Sequence, residues 1–410
     1  MIRNIWLGKT VRQVTRWRGN GGSALPGLMV ERIDPKFIGR VLGKLRYGVV
    51  VVSGTNGKTT TTKIVVELLE KQGLRVFTND TGSNFVRGVI SAIIQKIGVF
   101  GAFEYDVAVL ELDEAHAVKF AEVVPIDYSL LLNVQRDQLD RFGEVDHAAK
   151  LLEMVASKTR KCVVINREDP RLNKFKAAHV EYFGLTKKLL DTFPSDDDLL
   201  STKRRDVSKL GARVVLRDLS QKKATYEIDG ENYEGTLKLK GIYNAYNAAG
   251  ALALVKVMNP EVENARLILD LAEVESAFGR GESFMVKGCE LELLLVKNPS
   301  AFQLSIDSFA DNDHDFMIAI NDGVADGRDV SWLWDVDFGK LKKVALCSGV
   351  RAQDMALRLK YDEVETDGVE EDLKKAIRKF VRCSDRPKRI FATYTAMLEI
   401  RKILTGKSLS

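Results

Sequence analysis

One stretch constrains this chain more than any other. Val49 to Val52 run into Ser-Gly-Thr-Asn-Gly-Lys-Thr-Thr at 53–60, and a helix-patterned segment follows. Consecutive β-branched apolar residues read as a strand buried on both faces, the mark of a parallel sheet. From Lys58 onward Ile64, Val65, Leu68 and Leu69 recur at helical spacing, Gly73 stops the pattern, and Arg75 to Thr78 reads as another strand. Strand, glycine loop, helix, strand is a βαβ unit. Its loop also specifies chemistry. Gly54 and Gly57 let backbone N–H groups converge on a phosphate, with Thr55, Asn56 and Thr60 in the same turn. Lys58 supplies charge to terminal phosphates, and Thr59 a hydroxyl for Mg²⁺. Only two residues separate the glycines, so the position between strand and helix carries the reading more than the spacing does.

The same rhythm continues. Short apolar strands are expected at 107–110, 129–132 and 163–165, separated by helices at 85–97 and 145–159. Ligands of open α/β sheets bind beyond the carboxyl ends of the strands. Glu111, Asn133, Asn166 and Asp169 stand there. A hard cation prefers carboxylate oxygen, which makes Glu111 the leading Mg²⁺ ligand. His116 could assist or be a structural hydrogen-bonding residue, and Asp113 or Glu114 could equally face solvent. Asn166 and Asp169 could orient an adenine, although turn chemistry explains an Asn just past a strand nearly as well. Residues 186–236 break the rhythm, with an antiparallel hairpin expected from 213–216 and 224–228 and a turn at 194–198.

A second αβ alternation follows, with strands at 291–296, 316–320, 344–348 and 389–391 and helices near 350–360, 368–382 and 394–404. The expected division is a basic leader at 1–48, an ATP-binding α/β domain at 49–279 and a smaller Rossmann-like α/β domain at 280–410. Residues 1–48 hold ten Lys/Arg against two Asp/Glu, and the leader reads as an amphipathic helix broken at Gly21-Gly22 and Pro26-Gly27. It either caps the first domain or touches an anionic membrane surface. Asp322, Asp326, Asp329, Asp335 and Asp337 crowd a Trp-containing loop, which reads as a specific surface or as a turn-rich packed loop.

Charge excludes little more. The net +5 is mild, and the basic runs at 1–48 and 201–223 lack an aromatic stacking platform, so nucleic acid is not an expected partner. The four cysteines form no CxxC pair, which argues against a disulfide framework and places the chain in a reducing compartment. No apolar run reaches membrane-spanning length.

GTNGKTTT, ELDEAH and LLNVQRDQLDRFGEVD resemble the central domain of the ATP-dependent Mur ligases. Within that superfamily GGSALPG, LKGIYNAYNAAGA, VKNPSAF, NDGVADGRDVSWLWDVDF, SGVRAQDMALRLKY and TYTAMLEIR resemble the MurT family, over about 5–405. The resemblance implies a ligase subunit paired with a GatD-like class I glutaminase. The pair would convert the D-glutamate α-carboxylate of lipid II to D-isoglutamine at the cytoplasmic membrane face. The resemblance also gives Lys58 the ATP phosphates and Thr59 and Glu111 the Mg²⁺. Asn133 opens a stretch with Asp137 and Asp140, Asn166 and Asp169 take the adenine side, and Arg280 reaches the nucleotide between domains. Asp322, or failing it Asp335, would complete the partner's Cys–His site, as a buried acid does in a triad. Two departures stand out. The 186–236 stretch has no cysteine where many relatives carry a zinc ribbon, so no structural zinc is expected. Gln138 replaces the histidine that serves a second Mg²⁺ in ordinary Mur ligases. The alternative is an amino-acid-adding ligase of the folylpolyglutamate synthase type.

Overall fold

The computed structural model describes residues 2–17, 25–79, 85–135, 145–190, 192–193, 208–220, 223–239, 241–275, 280–286 and 288–406. Asp137, Gln138, Asp140, Gly21, Gly22 and the 194–198 turn lie outside them.

The first half is built on β1 (Gly48–Ser53), β2 (Val76–Phe77), β3 (Val107–Glu111), β4 (Ile126–Leu131), β5 (Thr159–Asn166), β6 (Val180–Leu185), β7 (Val214–Ser220), β8 (Lys223–Ile228) and β9 (Glu231–Thr236). They form one sheet in the order β2-β3-β1-β4-β5-β6-β7-β8-β9. Pairing is parallel from β2 through β7 and antiparallel across β7-β8-β9. The hairpin expected within 186–236 is therefore the edge of the central sheet, and it carries a third strand. The expectation missed this because β9, Glu-Asn-Tyr-Glu-Gly-Thr, is mostly exposed and has no apolar alternation.

Helices cover both faces. The α4 helix (Lys58–Lys71) and α8 (Ile242–Met258) enclose a core that includes Val50, Val52, Ile64, Leu68 and Leu252. On the other face α1 (Ile2–Trp17), α2 (Leu25–Ile33), α3 (Phe37–Leu42), α5 (Val86–Lys96) and α6 (Glu114–Val123) pack on Val49, Val51, Ala108 and Leu110. Successive β1 residues thus feed opposite cores, which is why its apolar run is continuous. A further helix, α7 (Val145–Lys158), packs beside β4 and β5. Pro26-Gly27 does not break the leader. Both residues lie in the first turn of α2, where a missing N–H costs nothing. Gly27 is also a contact: a Cβ there would stand 1.9 Å from the Arg87 carbonyl oxygen on α5.

The second half holds β10 (Arg280–Val286), β11 (Cys289–Leu295), β12 (Asp315–Ala319), β13 (Lys343–Val344), β14 (Leu346–Ser348), β15 (Glu365–Thr366), β16 (Val369–Glu370) and β17 (Lys388–Ala392). Its main sheet runs β10-β11-β17-β12-β14-β16, antiparallel only at β10. The strand expected at 344–348 is split between two sheets, and the helix expected at 368–382 covers 373–380, with β16 before it. Helix α9 (Pro299–Phe309) follows β11 and faces the first half.

Candidate active site

The loop after β1 depends on its glycines. Gly54 has φ +132° and Gly57 φ +88°, a region L side chains rarely adopt. A Cβ on Gly57 would also meet Asn247 Oδ1 of α8 at 2.4 Å. Gly57 then serves as the N-cap of α4 with no side-chain cap, so the first-turn N–H groups keep their affinity for an anion.

Neighbouring strand ends hold the loop in shape. Asn133, beyond β4, accepts from the Asn56 N–H at 2.8 Å and donates to the Asn56 carbonyl at 3.0 Å. The Thr55 hydroxyl bonds the backbone of Gln135, and the Asn56 amide reaches Gln135 Oε1 at 2.5 Å. Gln135 was not anticipated as part of this loop.

Lys58 is buried, its Nζ 2.6 Å from the Gly54 carbonyl oxygen and 3.2 Å from Asp113 Oδ1. The Thr59 hydroxyl donates to Glu111 Oε1 at 2.9 Å. Asn79 grips the Glu111 backbone from both sides, at 2.8 and 2.9 Å. A hydroxyl and a carboxylate therefore converge beside an uncapped helix N-terminus, a donor set suited to a Mg²⁺-bound phosphate chain. The buried hydroxyls of Thr60, Thr61 and Thr62 have no hydrogen-bond partner among the described residues, and Thr60 lies in the first turn. Burial alone would push the Asp113 carboxyl up. Lys58, and after it Lys297, outweigh this and hold it below its ordinary value. His116 stacks at a tilt on Phe85, 5.8 Å between centroids.

Asn166 and Asp169 are brought to the same cleft, with their polar atoms engaged. Asn166 donates to the Leu132 carbonyl and accepts from Glu168 N and the Tyr246 hydroxyl. Asp169 accepts from the backbone N–H groups of Val134, Arg171 and Leu172. Burial raises the Asp169 carboxyl, and these donors only partly offset it. Together the two residues fix a wall of a cavity of about 860 Å³, counting its open mouth. Phe193, Tyr246 and Leu185 supply apolar surface, and Leu304 and Ser305 of α9 face them from the second half. An apolar slot with a few fixed polar groups beside a phosphate loop suits a nucleobase.

The second half touches the loop itself. Lys297 Nζ donates to the Thr55 carbonyl at 2.9 Å. Asn298 and Asn56 exchange amide hydrogen bonds at 3.0 and 3.2 Å, while Asn298 Oδ1 caps α9 at Ala301 N. An Asn followed by a Pro is a common helix start, but nothing in the sequence signals that the capping amide reaches the other domain. Arg280 opens β10, and its side chain lies outside the described residues. Asp322 follows β12 and pairs with Arg351 at 3.4 Å, and Asp335, itself exposed, ends a 3₁₀ turn anchored by the buried Leu333.

Residues 52–255 match the Mur ligase middle domain. A pseudomurein peptide ligase type C from Methanothermus fervidus superposes with a TM-score of 0.72 over 92% of this chain and 84% of its own, at 18% identity. MurF ligase from Thermotoga maritima, solved with ADP, superposes at 0.62 over 90% and 83%, also at 18% identity. Fold and phosphate loop define an ATP-dependent ligase of the Mur type. The second half narrows the class. Residues 295–397 match the MurT ligase C-terminal domain. The lipid II isoglutaminyl synthase (glutamine-hydrolyzing) subunit MurT of Streptococcus pneumoniae R6 is 28% identical over 95% of this chain and 93% of its own length. Its counterpart in Staphylococcus aureus COL is 29% identical over 92% and 91%. The chain belongs to the MurT family of Mur ligases.

Proposed function

We propose that this chain is the ligase subunit of a glutamine-hydrolysing lipid II isoglutaminyl synthase. It would amidate the D-glutamate α-carboxylate of lipid II, with ammonia from a GatD-like class I glutaminase. The observation that carries this is the union of a Mur ligase phosphate loop with a MurT-type second half along one chain.

The chemistry joins two anions. The carboxylate must attack the ATP γ-phosphorus to give an acyl phosphate and ADP, and ammonia then displaces phosphate to leave the amide. Lys58, the α4 N-terminus and Gly54–Thr60 hold the triphosphate where its charge is offset. Mg²⁺, held by Thr59 and Glu111, would screen the phosphate oxygens. Asn133 keeps the loop rigid, Asn166 and Asp169 fix the base-side wall, and Arg280 would reach the nucleotide from the domain junction. The second half, through Lys297 and Asn298, covers the loop and limits hydrolysis of the acyl phosphate. Asp322, with Asp335 second, would orient the partner's catalytic histidine. The lipid anchor of the substrate would place the work at the cytoplasmic membrane face; among the described residues no helix is long and apolar enough to cross the membrane.

The test is the co-purified pair, given lipid II, ATP, Mg²⁺ and glutamine and read by mass spectrometry. Carboxylate should become amide, only with ATP, and Lys58→Ala should abolish it. Asp322→Asn should lose the glutamine-fed route and keep the ammonium-fed one. If no amide forms from either nitrogen source while added amino acids drive ATP consumption, the chain is an amino-acid-adding ligase instead.

A further inference from the structure

The helical layer on the outer side of the first half carries a surface that the ligase chemistry does not use. Three contacts assemble it. Asn4 of α1 donates to Asp34 Oδ2 at 2.6 Å, which sets the start of α1 beside the end of α2. Gly8 lies against Ile94, 2.7 Å from where a Cβ would sit, which sets the next turn of α1 beside the end of α5. Gly101 and Phe103, just past α5, share a small cavity with Val41, Lys44 and Leu45.

Most apolar side chains of this layer pack inward on the sheet, but several do not. Trp6 is 54% exposed, Ile33 49% and Phe100 83%. Phe100 sits at the tip of a tight turn closed by Gly98 N–H to the Ala102 carbonyl and Gly101 N–H to the Gly98 carbonyl, with Gly101 at φ +90°. The turn holds the ring in solvent while neighbouring Phe103 packs inward on Phe77. On the same helices and just past them Arg3, Arg32, Lys36 and Lys44 are exposed, as is Arg40, which pairs with Asp34. The acids of α1 to α3 and their links are Glu31 and Asp34, and each already faces an arginine, Arg87 and Arg40 respectively.

We infer that this face docks on an anionic lipid bilayer, with Trp6, Ile33 and Phe100 entering the headgroup layer and the surrounding cations over it. Charge complementarity commits the surface to that occupant. Anionic headgroups attract clustered Lys and Arg, and an indole and a phenyl ring suit the boundary between headgroups and acyl chains. A protein partner fits less well, because lysine is depleted from protein interfaces and here Lys36 and Lys44 lie among the apolar residues. The inference rests on charge and exposure, so it stands or falls apart from the amidation reading.

The experiment is vesicle flotation of the full chain, alone and with its glutaminase. Vesicles of phosphatidylglycerol mixed with phosphatidylcholine are compared with vesicles of phosphatidylcholine alone. Binding should appear only with the anionic lipid and fall steeply as salt rises. Arg32→Glu/Lys36→Glu should weaken it by well over tenfold, since each basic residue contributes about fivefold. Trp6→Ser/Phe100→Ser should weaken it while the melting temperature stays put, and neither pair touches the phosphate loop. Equal binding to both vesicles, no binding, or wild-type binding by both variants would overturn the inference. So would loss of flotation on adding the glutaminase, because the face would then belong to the protein partner.

Discussion

Glu111 shows how closely a single side chain is specified here. Its backbone is gripped by Asn79 on both sides and its carboxylate receives the Thr59 hydroxyl, so the group is placed before any ion arrives. Glu111→Gln keeps the size, the backbone grip and an acceptor for Thr59, and removes only the charge. The fold should be nearly unaffected in a thermal melt. The Mg²⁺ concentration that half-saturates ATP turnover should rise by about tenfold or more, because even residues behind a metal ligand carry ~10–100-fold in affinity. A metal titration identical to the wild type would remove Glu111 from the cation site. Gly57 belongs to the same scale: the sequence reading took it for closeness to phosphate, and the structure adds that Asn247 leaves no room for a Cβ.

At the scale of elements, the junction ahead of β12 makes a pH prediction. Asp311 accepts from the backbone N–H groups of Asp313 and His314, bonds the His314 ring and pairs with Arg389 of β17. Burial opposes the charge, but the His314 and Arg389 hydrogen bonds prevail and hold the carboxyl down to about 2. A folded-state value below the unfolded one gives stability that is present above the ordinary carboxylate range and lost as pH falls toward 2. Asp311→Asn should therefore melt below the wild type at neutral pH, with the gap closing between about pH 4 and 2. The gap is small because the carboxylate is over a third exposed; a gap constant across that range would dismiss the ion pair. No period in the sequence announces such a junction. Helices and buried strands were legible because burial on one stripe or on both faces repeats along the chain, as in α4 and β1. The Asp311–Arg389 pair is 78 residues apart in sequence, and the β9 edge strand is polar, so neither leaves a local pattern. The site divides the same way. Gly54 to Thr60, Glu111 and Asn133 follow strands in order and could be read directly; Gln135, two residues past Asn133, carries no motif of its own, and Lys297 and Asn298 belong to the site only because the two halves meet.

That meeting governs the whole molecule. The phosphate loop is held from one side by Asn133 and Gln135 of its own sheet, and from the other by Lys297 and Asn298 of the second half. Asn298 couples the two directly, because the oxygen that caps α9 also accepts from Asn56. A nucleotide that orders the loop must then favour the joined arrangement by whatever it gains from contacts to both halves, and no more. The wild type should melt in one transition that ADP or ATP with Mg²⁺ moves upward as a unit. In Lys297→Met/Asn298→Ala both bridges are gone and α9 loses its cap, a cost of about 1 kcal/mol for the cap alone. Calorimetry should then show two transitions, of which nucleotide raises only the one belonging to the first half. Asn298→Asp separates the contributions: Asp caps as well as Asn, so α9 stays, while a carboxylate facing Asn56 Oδ1 and the triphosphate weakens nucleotide binding. If the double variant still melts once, with an undiminished nucleotide shift, the halves are joined through the apolar wall formed by Leu304 and Tyr246, and the polar bridge at the loop only sets its position.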